Sequence, residues 1–147
     1  VLEAGIAAPS ACNAQSPAFI AVDDPELLAK IAEIIPTPTC KTAKAFIVCV
    51  SDSRPVFADI TFYKEDCAAA VENMLLALTD FGYSSVWLDG VLRRDEVAEK
   101  LAALLNVPAG KRVQILLPIG VAPAPVKQPA RLPFAKRASF NGWGNQQ

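Results

Sequence analysis

Gly82-Tyr83-Ser84-Ser85-Val86-Trp87-Leu88-Asp89-Gly90 follows directly on a helical pattern that runs from Tyr63 to Phe81, and this junction orders the rest of the chain. Within the pattern Cys67, Ala70, Val71, Met74, Leu75 and Leu78 fall on one stripe, with alanines over much of the remainder. That predicts a helix packed nearly all round and central to the fold. Gly82 stands at its C-terminal end, where a glycine ends a helix at little cost. Ser84 to Leu88 then reads as a strand stopped by Asp89-Gly90. Upstream, Ala45 to Val50 is a continuous apolar run rich in branched residues, as in a strand buried on both faces.

Working outward, Ala18 to Val22 is a short strand bounded by Asp23-Asp24-Pro25. Asp24 can cap a helix and Pro25 fits its first position; Leu27, Leu28, Ile31, Ile34 and Ile35 then recur at helical spacing until Pro36 and Pro38 stop them. Ser51 to Phe62, with Arg54-Pro55, reads as a loop or a lid. Arg93 to Leu105 predicts another amphipathic helix, with Glu96 four residues before Lys100. Val113 to Ile119 is the fourth strand, ended by Gly120. From Val121 onward, Pro123, Pro125, Pro129 and Pro133 predict an extended tail. Strands alternating with helices imply one domain over residues 1–147 with helices covering a sheet, although periodicity does not give strand direction. Val1 to Pro9 reads as the last turns of a helix with no capping residue before it, which leads us to expect a truncated N-terminus.

Composition narrows the function. A chain of 147 residues with 52% hydrophobic content can bury a single core. A formal charge of -1 offers no field to grip nucleic acid or an anionic membrane, and no apolar run approaches the ~20 residues of a membrane span. The chain contains no His, which removes the commonest metal ligand and general base, so we expect neither a metal site nor a Ser-His or Cys-His nucleophile. Cys12, Cys40, Cys49 and Cys67 include no Cys-x-x-Cys spacing and read as reduced and structural, which points to the cytoplasm. Cys12, in a loop, alone has some claim to reactivity.

Three segments could carry binding chemistry. Ala8-Pro9-Ser10-Ala11-Cys12-Asn13-Ala14-Gln15 puts a hydroxyl and two carboxamides in one loop, able to meet a flat heterocycle or a phosphate, or simply to satisfy its own backbone. The strand end at Leu88-Asp89-Gly90 presents backbone N–H groups at a sheet edge, or makes an ordinary turn with Trp87 in the core. Lys127-Gln128-Pro129-Ala130-Arg131, with Lys136 and Arg137 nearby, could hold a phosphate or be a solvated basic tail.

Taken in order, Ala8-Pro9-Ser10 with Asn13 and Gln15, Asp66 opening a helix with Glu72-Asn73-Met74-Leu75-Leu76-Ala77, Gly82 to Gly90, Leu105-Asn106-Val107-Pro108, Pro118-Ile119-Gly120 and Arg131-Leu132-Pro133 resemble the nitroreductase family of FMN-dependent oxidoreductases. The resemblance covers nearly the whole chain. It implies an α+β, three-layer fold with a central, mainly antiparallel sheet flanked by helices, in a homodimer with flavin at the interface. Terminal segments would be exchanged, so residues 121–147 would pack on the partner subunit. It also implies electron transfer from NADH or NADPH through FMN to nitroaromatic, quinone or related small-molecule acceptors. The flavin would carry the chemistry, leaving no catalytic side chain to find.

By that resemblance Ser10, Asn13 and Gln15 contact the flavin, Pro9 packs beside its ring, and Leu88, Asp89 and Gly90 turn backbone N–H groups to the ring edge. Arg131 would bind the phosphate, with Lys127 a weaker neighbour. Two departures matter. The family's N-terminal Arg-Arg-Ser segment has no counterpart here, and Gln15-Ser16-Pro17-Ala18 stands where the family has Gln-Pro and an aromatic. One lost charge-assisted phosphate contact costs about 1.5–3 kcal/mol, so the competing expectation is a truncated dimeric module that binds flavin weakly or not at all.

Overall fold

In the computed structural model, which describes residues 1–125 and 127–145, four strands form one sheet. They are β1 (Pro17–Val22), β2 (Ala45–Ser51), β3 (Ser84–Ser85) and β4 (Arg112–Gly120). The order is β1-β2-β4-β3 and every pairing is antiparallel. In register, Phe46 lies between Val22 and Pro118, and Val48 between Ile20 and Leu116. Beyond Cys49 the β2–β4 register slips by one residue.

The uniform apolarity of β2 has a simple cause. Successive side chains point to opposite faces, and both faces are covered. Phe46, Val48 and Val50 enter one core with Ile31 of α2 (Pro25–Ile34), Cys40 of α3 (Pro38–Thr42), and Ala98 and Leu101 of α5 (Val97–Leu104). Ile47 and Cys49 enter the other with Cys67, Val71 and Met74 of α4 (Tyr63–Asp80). The fold is therefore α+β in three layers, as the resemblance implied. On the α4 side the short α1 (Leu2–Ile6) lies so close that a Cβ on Gly5 would stand 3.0 Å from Met74 Cγ, and Asn73 Nδ2 donates to the Ala4 carbonyl at 3.1 Å.

Four details differ from the sequence reading. The prolines after Ile35 do more than stop a helix: Thr37 Oγ1 accepts from Cys40 N at 3.2 Å and Pro38 takes the first helical position, so they start α3. Helix α4 is not packed all round, since Leu76 is 62% exposed. The third strand shrinks to Ser84–Ser85, although Leu88 rejoins β4 opposite Leu116 in the same register. Between them Val86 would face Pro118, which has no N–H to give; Ser85 Oγ instead donates to the Pro118 carbonyl at 2.8 Å. Finally, the helix expected from Arg93 is interrupted. A 3-10 turn at Val91–Arg93 and left-handed backbone at Asp95 and Glu96 precede α5, and Lys100 Nζ donates to the Asp95 carbonyl at 2.9 Å rather than meeting Glu96.

The capping expected at Asp24 is present, its carboxylate accepting from Leu27 N at 2.9 Å with Pro25 at the first helical position. Asp24→Ala should lower stability by about 1 kcal/mol, read as a shift of the urea midpoint at unchanged slope. After β4 the described tail is mostly exposed, with a 3-10 turn at Phe134–Lys136, where the Phe134 and Phe140 rings approach to 6.0 Å, and a second turn in which Phe140 N donates to the Asn145 carbonyl at 3.1 Å.

Candidate functional site

Helix α1 ends at Ile6 with Ala7 as its C-cap, and Pro9 and an extended Ser10 carry the chain into a tight turn at Ala11–Asn13. Three side-chain-bearing residues here adopt left-handed backbone: Cys12 (φ 49°), Asn13 (φ 53°) and Gln15 (φ 50°). Asn tolerates this conformation, whereas Cys and Gln adopt it only under constraint. The constraints are visible. Ser10 Oγ accepts from Gln15 N at 2.9 Å. Asp66, 3% exposed in the first turns of α4, accepts from Ala11 N through Oδ1 at 2.9 Å and from Ser16 Oγ through Oδ2 at 2.7 Å. From the segment after β2, Arg54 Nη2 donates to the Ala14 carbonyl at 2.8 Å, while its Nη1 pairs with Asp52 at 3.2 Å.

This loop borders a cavity of about 260 Å³, lined by Pro9, Ser10, Gln15 and Asp66 together with Leu2 and Phe19. Asn13 is exposed and stands outside that lining. A second cavity, about 430 Å³, opens against another face of α4's first turns, where Tyr63, Lys64 and Cys67 meet Trp87, Asp89 and Arg112. Leu88 is fixed by two bonds to Leu116, of 3.1 and 2.9 Å. The carbonyls of Asp89 and Gly90 accept from Leu92 and Arg93, but among the described residues the N–H groups of Asp89 and Gly90 have no hydrogen-bond partner. Arg93 Nη2 meets the Asp89 carboxylate at 2.6 Å, which fixes the turn further.

Of the residues singled out in the sequence, the structure thus gathers Pro9, Ser10 and Gln15 at one cavity and places Asp89 at the other, with Leu88 and Gly90 beside it. Lys127 and Arg131 lie on the exposed tail and line neither. Sequence reasoning missed Arg54, and saw Asp66 only as a helix opener. Their partners lie 40 to 55 residues away, beyond the reach of any local pattern.

The model of the nitroreductase family matches residues 41–121, more than half of the chain. The chain belongs to the nitroreductase family. An Archaeoglobus fulgidus protein provisionally named NADH dehydrogenase/NAD(P)H nitroreductase is 39% identical over 109 residues, which cover 74% of this nitroreductase-family chain and 62% of that protein. The chain therefore spans less than two thirds of that relative's length. A crystal structure under the same provisional name, from Parabacteroides distasonis, superposes with a TM-score of 0.80 at 26% identity, covering 97% of this chain and 82% of that one. An FMN-dependent nitroreductase from Clostridium difficile shares the fold, with a TM-score of 0.80 at 24% identity over 97% of this chain and 84% of that one.

Proposed function

We propose that this chain is an NAD(P)H-dependent oxidoreductase that holds FMN and reduces nitroaromatic, quinone or related small-molecule acceptors. The observation that carries this reading is the unpartnered pair of N–H groups at Asp89 and Gly90, beside a cavity that also presents Trp87, Tyr63, the cation of Lys64 and Arg112, whose guanidinium pairs with Glu99 at 3.0 Å. Asp89 is half-buried and Gly90 exposed, so both N–H groups are open to an incoming acceptor, and a ligand with acceptors on a flat edge can take both at once. The residues fit FMN: an aromatic-lined space for a planar ring and amides for the ring edge on one protomer, with Ser10, Gln15 and the exposed Asn13 of a second protomer's loop for its polar substituents. When bound, the flavin supplies the hydride and electron chemistry. The protein's part is to hold and orient. Leu88 is clamped to β4, which sets where the following turn leaves the sheet, and Asp89's carboxylate meets Arg93 in a solvent-exposed ion pair that partly offsets its charge.

The two residue groups lie at separate cavities of one protomer, and Leu76 and Phe81 on and after α4 are 62% and 65% exposed. Both facts favour a homodimer in which one subunit's Ser10 loop and the tail residues 121–147 complete the partner's site. Exposed Leu132, Phe134 and Trp143 give that tail apolar surface to bury. Four free thiols fit a cytoplasmic setting, and among the described residues no helix is long and apolar enough to cross a membrane.

A second reading, a dimeric module that binds flavin weakly or not at all, is favoured by the position of Lys127 and Arg131 away from both cavities. Visible absorption separates the two. Purified protein mixed with FMN and dialysed should keep a flavin band, and NADH or NADPH should bleach it without oxygen. A protein that stays colourless overturns the oxidoreductase reading in favour of the module.

A further inference from the structure

The loop bearing Ser10, Asn13 and Gln15 is held from outside itself. Its left-handed residues are strained, and strain persists only where surroundings over-determine it. Local bonds supply part of that: Ser10 to Gln15, and the backbone turns from Asn13 to Ser10 (3.0 Å) and from Ala14 to Ala11 (2.9 Å). The remainder comes from two distant side chains. Asp66 spends both carboxylate oxygens on the loop, one at Ala11 N and one at Ser16 Oγ, so that it grips both ends of the strained stretch. Arg54 holds the carbonyl of Ala14, between the two left-handed positions Asn13 and Gln15.

We propose that Asp66, assisted by Arg54, is a positioning residue for ligand binding by the Ser10–Gln15 loop; this rests on the flavin reading above. Ser10 and Gln15 present side chains at the cavity, and β1 anchors the loop's far end at Pro17, but among the described residues no side-chain bond of their own ties the stretch between to the rest of the fold. Asp66 does so, because α4 is packed on the sheet through Cys67, Val71 and Met74, and its carboxylate transmits that fixed position to the loop. A buried carboxylate that satisfies one N–H and one hydroxyl is a rigid link, since each partner loses its bond if the loop shifts. Arg54 adds a second link, to the exposed segment around Asp52, so the loop is coupled to that segment as well as to α4.

The test compares Asp66→Ala, Asp66→Asn, Ser16→Ala and Arg54→Gln by FMN titration, followed through flavin fluorescence, and by amide exchange without flavin. Asp66→Ala should weaken FMN binding by about tenfold or more, and Ser16→Ala and Arg54→Gln by smaller factors. Asp66→Asn keeps an oxygen for Ala11 N and an amide for the Ser16 hydroxyl, and should stay within about threefold of wild type. Exchange at Ala11 and Gln15 should quicken in Asp66→Ala while the amides of β2 keep their protection. If Asp66→Ala does not fold, Ser16→Ala and Arg54→Gln carry the comparison, since each removes a single link. Unchanged FMN affinity with quickened loop exchange overturns the proposal, as does equal loosening of loop and β2, which would make Asp66 a staple of the whole fold. A wild-type protein that takes up no FMN overturns the flavin reading and the positioning role with it, and protected Ala11 exchange then marks the link as purely structural.

Discussion

Phe46→Ala is expected to destabilise the fold by about 3–5 kcal/mol. Phe46 has no solvent exposure and lies on the strand with a neighbour on either side, Val22 across β1 and Pro118 across β4. Its ring enters the core shared with α2, α3 and α5, among Ile31, Cys40 and Leu101. Truncation loses the transfer energy of the ring and leaves a cavity, and the ladder on both sides prevents the backbone from closing it. Against a typical domain stability of about 5–15 kcal/mol, that is a large share. Urea unfolding should show the midpoint falling at nearly constant slope. Phe57, 61% exposed, is the matched control, and Phe57→Ala should stay within about 0.5 kcal/mol of wild type. A loss below about 1 kcal/mol for Phe46→Ala would show that this side of the sheet repacks freely, contrary to the close packing expected of a core.

The same strand shows what was legible from residues alone. Ala45 to Val50 read correctly as doubly buried because both of its faces are apolar, and the helix after Asp24 read correctly because cap, proline and spacing agreed. The direction of the strands was not legible, since a period of two is the same for parallel and antiparallel ladders. Strand and helix alternation by itself suggests crossovers between parallel neighbours; the antiparallel sheet came from the resemblance and is what the structure has. The early end of β3 depends on Pro118 lying opposite Val86, a fact of register that no window on either segment contains. Helix α3 was hidden because Thr37-Pro38 is both a stop for one helix and a start for the next. At the candidate site, the residues expected to touch a ligand were legible as motifs, whereas Asp66 and Arg54, which hold one of those motifs in place, were not. Their role consists of contacts with residues far away in the chain.

Titration with a thiol-specific disulfide reagent should find one fast cysteine, Cys12, and three that react at least about a thousandfold more slowly, since they are exposed only by opening events that cost several kcal/mol. Cys12 is exposed in the strained loop, whereas Cys40, Cys49 and Cys67 are 2%, 0% and 1% exposed. Burial also bears on ionisation. It pushes the Cys40 thiol up, with the Thr37 hydrogen bond pulling weakly the other way. Cys49 is pushed up more strongly, first because its proton is held towards Cys67 and then by its own burial. A protonated thiol is a poor nucleophile, so for these two the chemistry and the access act together. Cys67 is the informative one. Its thiol is lowered by the hydrogen bond it receives from Cys49, and it lines the 430 Å³ cavity beside Asp89. If that cavity opened readily to molecules larger than water, Cys67 would react soon after Cys12. Cys12→Ser should therefore leave no fast thiol at all, and a remaining fast phase, removed by Cys67→Ala, would show that the cavity admits a reagent of that size. That result would overturn the protection expected of Cys67 and identify the cavity as an open route to the turn at Asp89 and Gly90.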